Sequence, residues 1–194
     1  MKVSREQAAA NRERVLDTAA RLYRENGFGG IGVADIMKAA GLTHGGFYGQ
    51  FGSKDELMAQ AGERALTEAR ERWERLLEDV PGDPFAAVAA AYLSPLHRDT
   101  PGAGCAIAAL GPELARQSPP VRHAFTEGFR SLLELLAGLL PGRSKAARRD
   151  KALAAYAAMV GAVVLARMVD DAALSDEILR AVAASLPKGA AVEP

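Results

Sequence analysis

Thr43, His44, Tyr48, Gln50 and Lys54 crowd hydroxyl, imidazole, phenol, carboxamide and ammonium groups into one short stretch, with Gly45 and Gly46 among them. These groups suit recognition of a nucleic acid. Hydroxyls and an ammonium position a protein on sugar-phosphate, and a carboxamide can take adenine in a two-pronged bond or simply meet phosphate. The two glycines cost a helix about 1 kcal/mol each relative to alanine, a cost that close approach of backbone to a partner would offset. A second set lies downstream. Cys105 is the single cysteine. It stands at the expected start of a helix, where amide dipoles favour thiolate, although a lone cysteine is more often a small buried hydrophobe. His44, His97, His123 and Cys105 have no metal-ligand or triad spacing, and no phosphate loop is present. We therefore expect no enzyme, no metal and no cofactor.

The recognition candidates need a scaffold, and the flanking residues provide one. Val33, Ile36, Met37 and Ala40 make one apolar helical face. Gly41 can close that helix in the left-handed conformation, and Thr43 can cap the next. Phe47 and Phe51, four apart, anchor the second helix inward and leave Thr43, His44, Gly46, Tyr48 and Gln50 outward. The pattern predicts a helix-turn-helix, whose second helix enters the DNA major groove. Upstream, Ser4 with Gln7 opens a helix carrying Val15, Ala19, Leu22 and Tyr23, ending at Gly27. Arg12 and Arg14 lie on its polar faces, as solvated surface or as phosphate contacts. Downstream, Ser53 and Glu56 form a capping box opening a long helix to about Asp79, where Lys54 can hold a phosphate with the free amides.

Asp35-Ile36, Ala39-Ala40-Gly41-Leu42-Thr43, Phe47-Tyr48, Phe51 and Lys54-Asp55-Glu56-Leu57, with Glu25-Asn26-Gly27-Phe28 upstream, resemble the signature of the TetR (tetracycline repressor) family. The match runs from about Arg5 to Leu57. The resemblance implies a homodimeric transcriptional regulator, most often a repressor, released from a palindromic double-stranded DNA operator by a small-molecule inducer whose identity the sequence does not give. It implies a phosphate contact for Tyr48. His44 stands where the family often has lysine, and Ile31 and Gly32 where it usually has hydroxyl residues, so looser DNA binding is expected from that end. Gly104-Cys105-Ala106-Ile107 resembles members that respond to electrophiles or oxidants, so a thiol-reactive inducer is the variant reading.

Bulk composition agrees with a globular chain. Of 194 residues, 49% are hydrophobic and 25% charged, and the formal net charge is zero. Over residues 1–57 the basic side chains exceed the acidic by one, so bulk attraction to DNA is weak and specific contacts must carry binding. One cysteine, a polar N-terminus and no membrane-length apolar run predict a cytoplasmic protein with no membrane partner.

The expected fold is all-α, with about nine helices: a three-helix DNA-binding domain over 1–57, a helical ligand-binding and dimerisation domain over 58–187, and a disordered tail over 188–194. Past a break at Val80–Pro84, helices are expected over 84–96, 105–116, 118–140, 144–170 and 175–186, with a loop at 97–102. Trp73, Tyr92, His97, Cys105, Phe125, Phe129 and Tyr156 are the candidates for lining an effector pocket, with Glu113 and His123 as further polar contacts. The eighth helix, 144–170, is apolar on most sides, which predicts a four-helix dimer seam with the ninth. Two other readings stay open: a helical interaction module with weak DNA binding, and a Cys105-dependent enzyme.

Overall fold

The computed structural model describes residues 4–189, and every regular element among them is helical. α1 spans Arg5–Gly30, α2 Val33–Ala39, α3 Lys54–Leu77, α4 Pro84–Tyr92, α5 Pro95–Asp99, α6 Ala106–Leu114, α7 Pro119–Gly138, α8 Lys145–Met168 and α9 Ala172–Ser185. Short 3-10 turns occupy His44–Gly46 and Pro101–Ala103. Residues 190–194, most of the expected tail, lie outside the described residues, while the Gly189 amide donates to Asp83 Oδ2 at 2.7 Å.

The chain forms two compact units: the segment up to Thr67 with Cys105–Gly128, and Glu68–Gly104 with the segment from Phe129 on. The division falls inside α3 and α7.

In the first unit, the Ser4 hydroxyl accepts from the Gln7 amide at 3.1 Å and starts α1. The buried stripe of Val15, Leu16, Ala19, Ala20 and Tyr23 follows helical spacing. The expected stop at Gly27 is instead a kink. Gly27 takes φ 76° and ψ 167°, and helix resumes through Gly30. α2 buries Ile36 and Met37 and ends as the sequence predicts. Gly41 has φ 72°, its amide reaches the Lys38 carbonyl at 3.0 Å, and the Leu42 amide reaches Met37 at 2.9 Å, which together close the helix. Gly32 precedes α2 with no side-chain cap, as its bare backbone dictates. The front of α3 contributes Leu57, Met58, Ala61, Ala65 and Leu66 to the core. α7 closes on it where side chains are missing. A Cβ at Gly62 would lie 2.2 Å from the Phe125 ring, and one at Gly128 2.4 Å from Leu66.

In the second unit, Asp83 caps α4 through its bond from the Ala86 amide, and Pro84 occupies the first turn. The helix expected over 84–96 breaks in two. Pro95 has no amide to donate, Ser94 caps afresh by accepting from the His97 amide at 3.1 Å, and α5 replaces the expected loop. Leu96, expected on the inner side, turns outward at 74% exposure. α9 begins earlier than expected, at Ala172, because Asp171 caps it by accepting from Ala173 and Leu174. Phe85, Val88, Leu132, Leu133, Leu136 and Met159 make up much of the buried core. By length and composition α8 could cross a membrane. Its Ala152, Ala155, Tyr156, Met159, Ala162 and Val163 are buried against the chain, while Leu153, Leu165 and Met168 stay exposed.

Candidate nucleic-acid interface

The expected recognition helix is not a regular α-helix. Residues 44–46 form a 3-10 turn, with amide bonds from Gly46 to Thr43 and from Phe47 to His44, each at 3.0 Å. One α-type bond follows, from Phe51 to Phe47 at 2.9 Å. Gly45, Gly46 and Gly49 explain the departure, since three glycines within so few residues remove the propensity that would sustain a helix. The Thr43 side chain makes no capping bond. Phe47 and Phe51 nonetheless anchor the segment, at 2% and 1% exposure, with their rings stacked at 5.6 Å.

That anchoring turns Tyr48 outward at 74% exposure, with Thr43, His44 and Gly45 also exposed. His44 and Tyr48 meet edge to face at 6.4 Å, one aromatic-rimmed polar surface. Gly46 and Gln50 are half-buried, and the Gln50 side-chain oxygen is enclosed without a hydrogen-bond partner. Lys54 is exposed, yet its Nζ donates to the Phe28 carbonyl at 2.9 Å.

Two sets of contacts were not foreseen. The first converges on Phe28. While Lys54 holds its carbonyl, Glu113 of α6 accepts from its amide at 2.9 Å. Glu113, a candidate pocket contact from the sequence, thus clamps the bend of α1. The second centres on Arg12. Its guanidinium donates to the Gln50 carbonyl at 3.1 Å and to Gln60 Oε1 at 2.7 Å, pairs with Glu56 at 3.5 Å, and lies 4.3 Å over the Phe51 ring. Arg14, by contrast, is exposed and bonded to Asn11. A basic residue directly N-terminal to a family-like apolar stripe was the available signal for Arg12, but it did not identify the partners.

The effector candidates separate. Trp73, Tyr92, His97, Phe129 and Tyr156 come together in the second unit, with Trp73–Tyr156 and Tyr92–Tyr156 ring centres each 6.0 Å apart and Phe129 stacked on Tyr156 at 5.5 Å. Cys105 and Phe125 belong to the first unit. Cys105 is the N-cap residue of α6 and is 5% exposed; Phe125 packs edge-on to Phe28 at 6.1 Å. His97 Nδ1 lies 2.6 Å from the Tyr92 carbonyl, and the two rings are 4.5 Å apart. Burial holds its pKa below the usual histidine value, the Tyr92 bond opposes this, and the charges of Arg167 and Arg72 depress it further. His123 is exposed. Arg167 donates to the His97 and Arg98 carbonyls, and Arg98 pairs with Asp99 and Asp176, tying α5 to α8 and α9. Among the described residues no cluster of His, Cys, Asp or Glu could hold a metal ion.

Residues 15–61, which contain this interface, match the model of bacterial regulatory proteins of the tetR family. Residues 81–185, more than half the chain, match the C-terminal domain of LmrA/YxaF-like transcriptional regulators. The chain belongs to the TetR family. It is 29% identical over 132 residues to the HTH-type transcriptional repressor NemR of Escherichia coli, a match covering 66% of each chain. To the regulator AcrR of Shigella flexneri it is 29% identical over 85 residues, 44% of this chain and 40% of that one. Among solved structures, reduced E. coli NemR superposes with TM-score 0.76 and 25% identity over 95% of this chain and all of that one. A TetR regulator from Chloroflexus aurantiacus gives TM-score 0.76 and 26% identity over 95% and 98%. The chain is accordingly a DNA-binding transcriptional regulator of TetR type, a family of regulators rather than catalysts.

Proposed function

We propose that this TetR-family protein is a cytoplasmic homodimeric repressor that leaves a palindromic operator when an inducer binds. The observation that carries the reading is the recognition segment: Phe47 and Phe51 buried beneath Tyr48, which stands 74% exposed beside Thr43, His44 and Gly45. Thr43 and Tyr48 contact sugar-phosphate, Gly45 and Gly46 let the backbone approach, and His44 and Gln50 meet bases. Lys54 adds charge at the front of α3 while holding Phe28. The DNA-binding domain is the N-terminal 1–57 segment, and 58–187 holds the effector and dimer functions.

Support for the dimer comes from the face of α8 that its own chain leaves open. Leu165 and Met168 are 47% and 70% exposed, in register with Ala154 and Ala157, and Leu174 at the start of α9 is 42% exposed. A two-fold partner laid along α8 and α9 would cover this apolar stripe, and a palindromic operator asks for two recognition segments about 34–36 Å apart. The aromatic group of Trp73, Tyr92, Phe129 and Tyr156 with His97 is the effector-contacting surface. An inducer acts there by its difference in affinity for two dimer spacings, transmitted through α3. The reduced form named for the NemR structure supports a thiol-reactive inducer as the second reading, with Cys105 as its target.

The test is enrichment of duplexes from a random pool, followed by titration across salt concentrations. Enrichment of a palindrome bound by a dimer supports the proposal. Weak, sequence-blind binding at every salt concentration would refute it in favour of an interaction module.

A further inference from the structure

We propose that Arg12 is the positioning residue of the recognition segment, holding it in reading geometry from behind rather than touching DNA. The inference rests on the DNA-binding reading of residues 43–50 and adds to it.

The segment cannot hold its own shape. Three glycines and a single 3-10 turn leave it with little intrinsic helicity. Its last carbonyls lack partners within the segment, as at any helix end. Arg12 supplies one, donating Nη1 to the Gln50 carbonyl at 3.1 Å. The same guanidinium lies 4.3 Å over Phe51, the segment's inner anchor. Its other nitrogen is fixed to α3 through Gln60 Oε1 at 2.7 Å and Glu56 at 3.5 Å. Those acceptors are themselves braced: Gln60 donates to Glu56 at 3.0 Å, and Glu56 accepts the Gly52 amide at 2.8 Å. One planar fork on α1 therefore joins the main chain of the segment to α3, a geometry that lysine cannot reproduce. With Nη1 donating to Gln50 and Nη2 to Gln60 and Glu56, the guanidinium is already engaged by protein acceptors, which favours a supporting role over a phosphate contact. The Gln50 main-chain carbonyl is thus held by Arg12, while its half-buried side chain finds no partner for its oxygen within the chain.

The experiment compares wild type with Arg12→Lys, Arg12→Ala and Gln60→Met on two duplexes, one enriched by the wild-type protein from a random pool and one scrambled, over a range of salt. Positioning predicts a roughly tenfold weaker specific complex for Arg12→Lys and a smaller loss for Gln60→Met. Scrambled-duplex affinity and the salt slope stay at wild-type values, and amide exchange of Gly46–Phe51 rises in the unbound protein. Retention of specific affinity by Arg12→Lys, or a slope shallower by about one per protomer in Arg12→Ala, would make Arg12 a direct phosphate contact and overturn the inference. Parallel loss on both duplexes with a lowered melting temperature would reduce it to a fold-stabilising residue. A wild-type protein that enriches no sequence would overturn the DNA-binding reading itself, and this inference with it.

Discussion

Gly27→Ala separates a kink built into the fold from a helix that merely tolerates glycine. At φ 76° and ψ 167° the residue sits in a region reserved for glycine, where another residue carries strain of about 1–3 kcal/mol. The added methyl would also lie 2.4 Å from Glu113 Oε1. Relief of that overlap means withdrawing the carboxylate and losing its bond from the Phe28 amide, 2.9 Å in the native fold. A hydrogen bond to a charged group contributes about 1.5–3 kcal/mol, toward the lower end here because Glu113 is half-buried. The two effects together predict a loss of roughly 2.5–5 kcal/mol. At about 2–4 °C per kcal/mol for a chain of this size, melting falls by roughly 5–20 °C.

The assay is denaturant unfolding of wild type, Gly27→Ala, Glu113→Ala and the double variant. Glu113→Ala removes only the bond, and it also clears space for the methyl. The double variant must therefore cost less than the two single losses added together, by about 0.5–3 kcal/mol. The opposite sign is available to the chain. If residues 26–28 could straighten into regular helix, alanine would raise stability by about 1 kcal/mol. A stabilised or unchanged Gly27→Ala, or full additivity in the cycle, refutes the clamp.

Tyr48→Phe should leave melting unchanged, because the ring is exposed, and weaken operator binding by roughly 2- to 12-fold per protomer through one lost hydrogen bond, as read by fluorescence anisotropy. His97 gives a pH signature. Its pKa is held below the ordinary 6.5 in the fold, so below that pH the unfolded chain takes up a proton before the native chain does. Stability is therefore full above pH 6.5 and declines as pH falls toward the native pKa. His97→Asn, which keeps a donor for Tyr92, should flatten that decline in unfolding titrations between pH 5 and 8. If the proposed dimer forms through the open face of α8, Leu165→Asp combined with Met168→Asp should yield a monomer in sedimentation, with operator affinity lost and helicity kept.

What the sequence discloses and what it hides divide along a physical line. Ile36, Met37, Phe47 and Phe51 were legible because burial on one helical face repeats at three and four residues, and Gly41, Ser4, Ser53 and Asp83 because caps act within three or four residues of themselves. The break at Ser94–Pro95 has the same local chemistry, but the apolar run through Leu96 masked it. Longer-range choices carry no such period. Arg12, Lys54 and Glu113 each satisfy a main-chain group far along the chain, at Gln50 and at the two sides of Phe28. The glycine-rich segment is the sharpest case. Propensity alone argues against a helix at 44–50, and the phenylalanine pair alone argues for one. The fold resolves the conflict by giving the segment little regular helix of its own and holding it through Phe47, Phe51 and the Arg12 fork. A recognition surface made this way owes its shape to its supports, so the residues that set its DNA affinity need not be the ones that face the DNA.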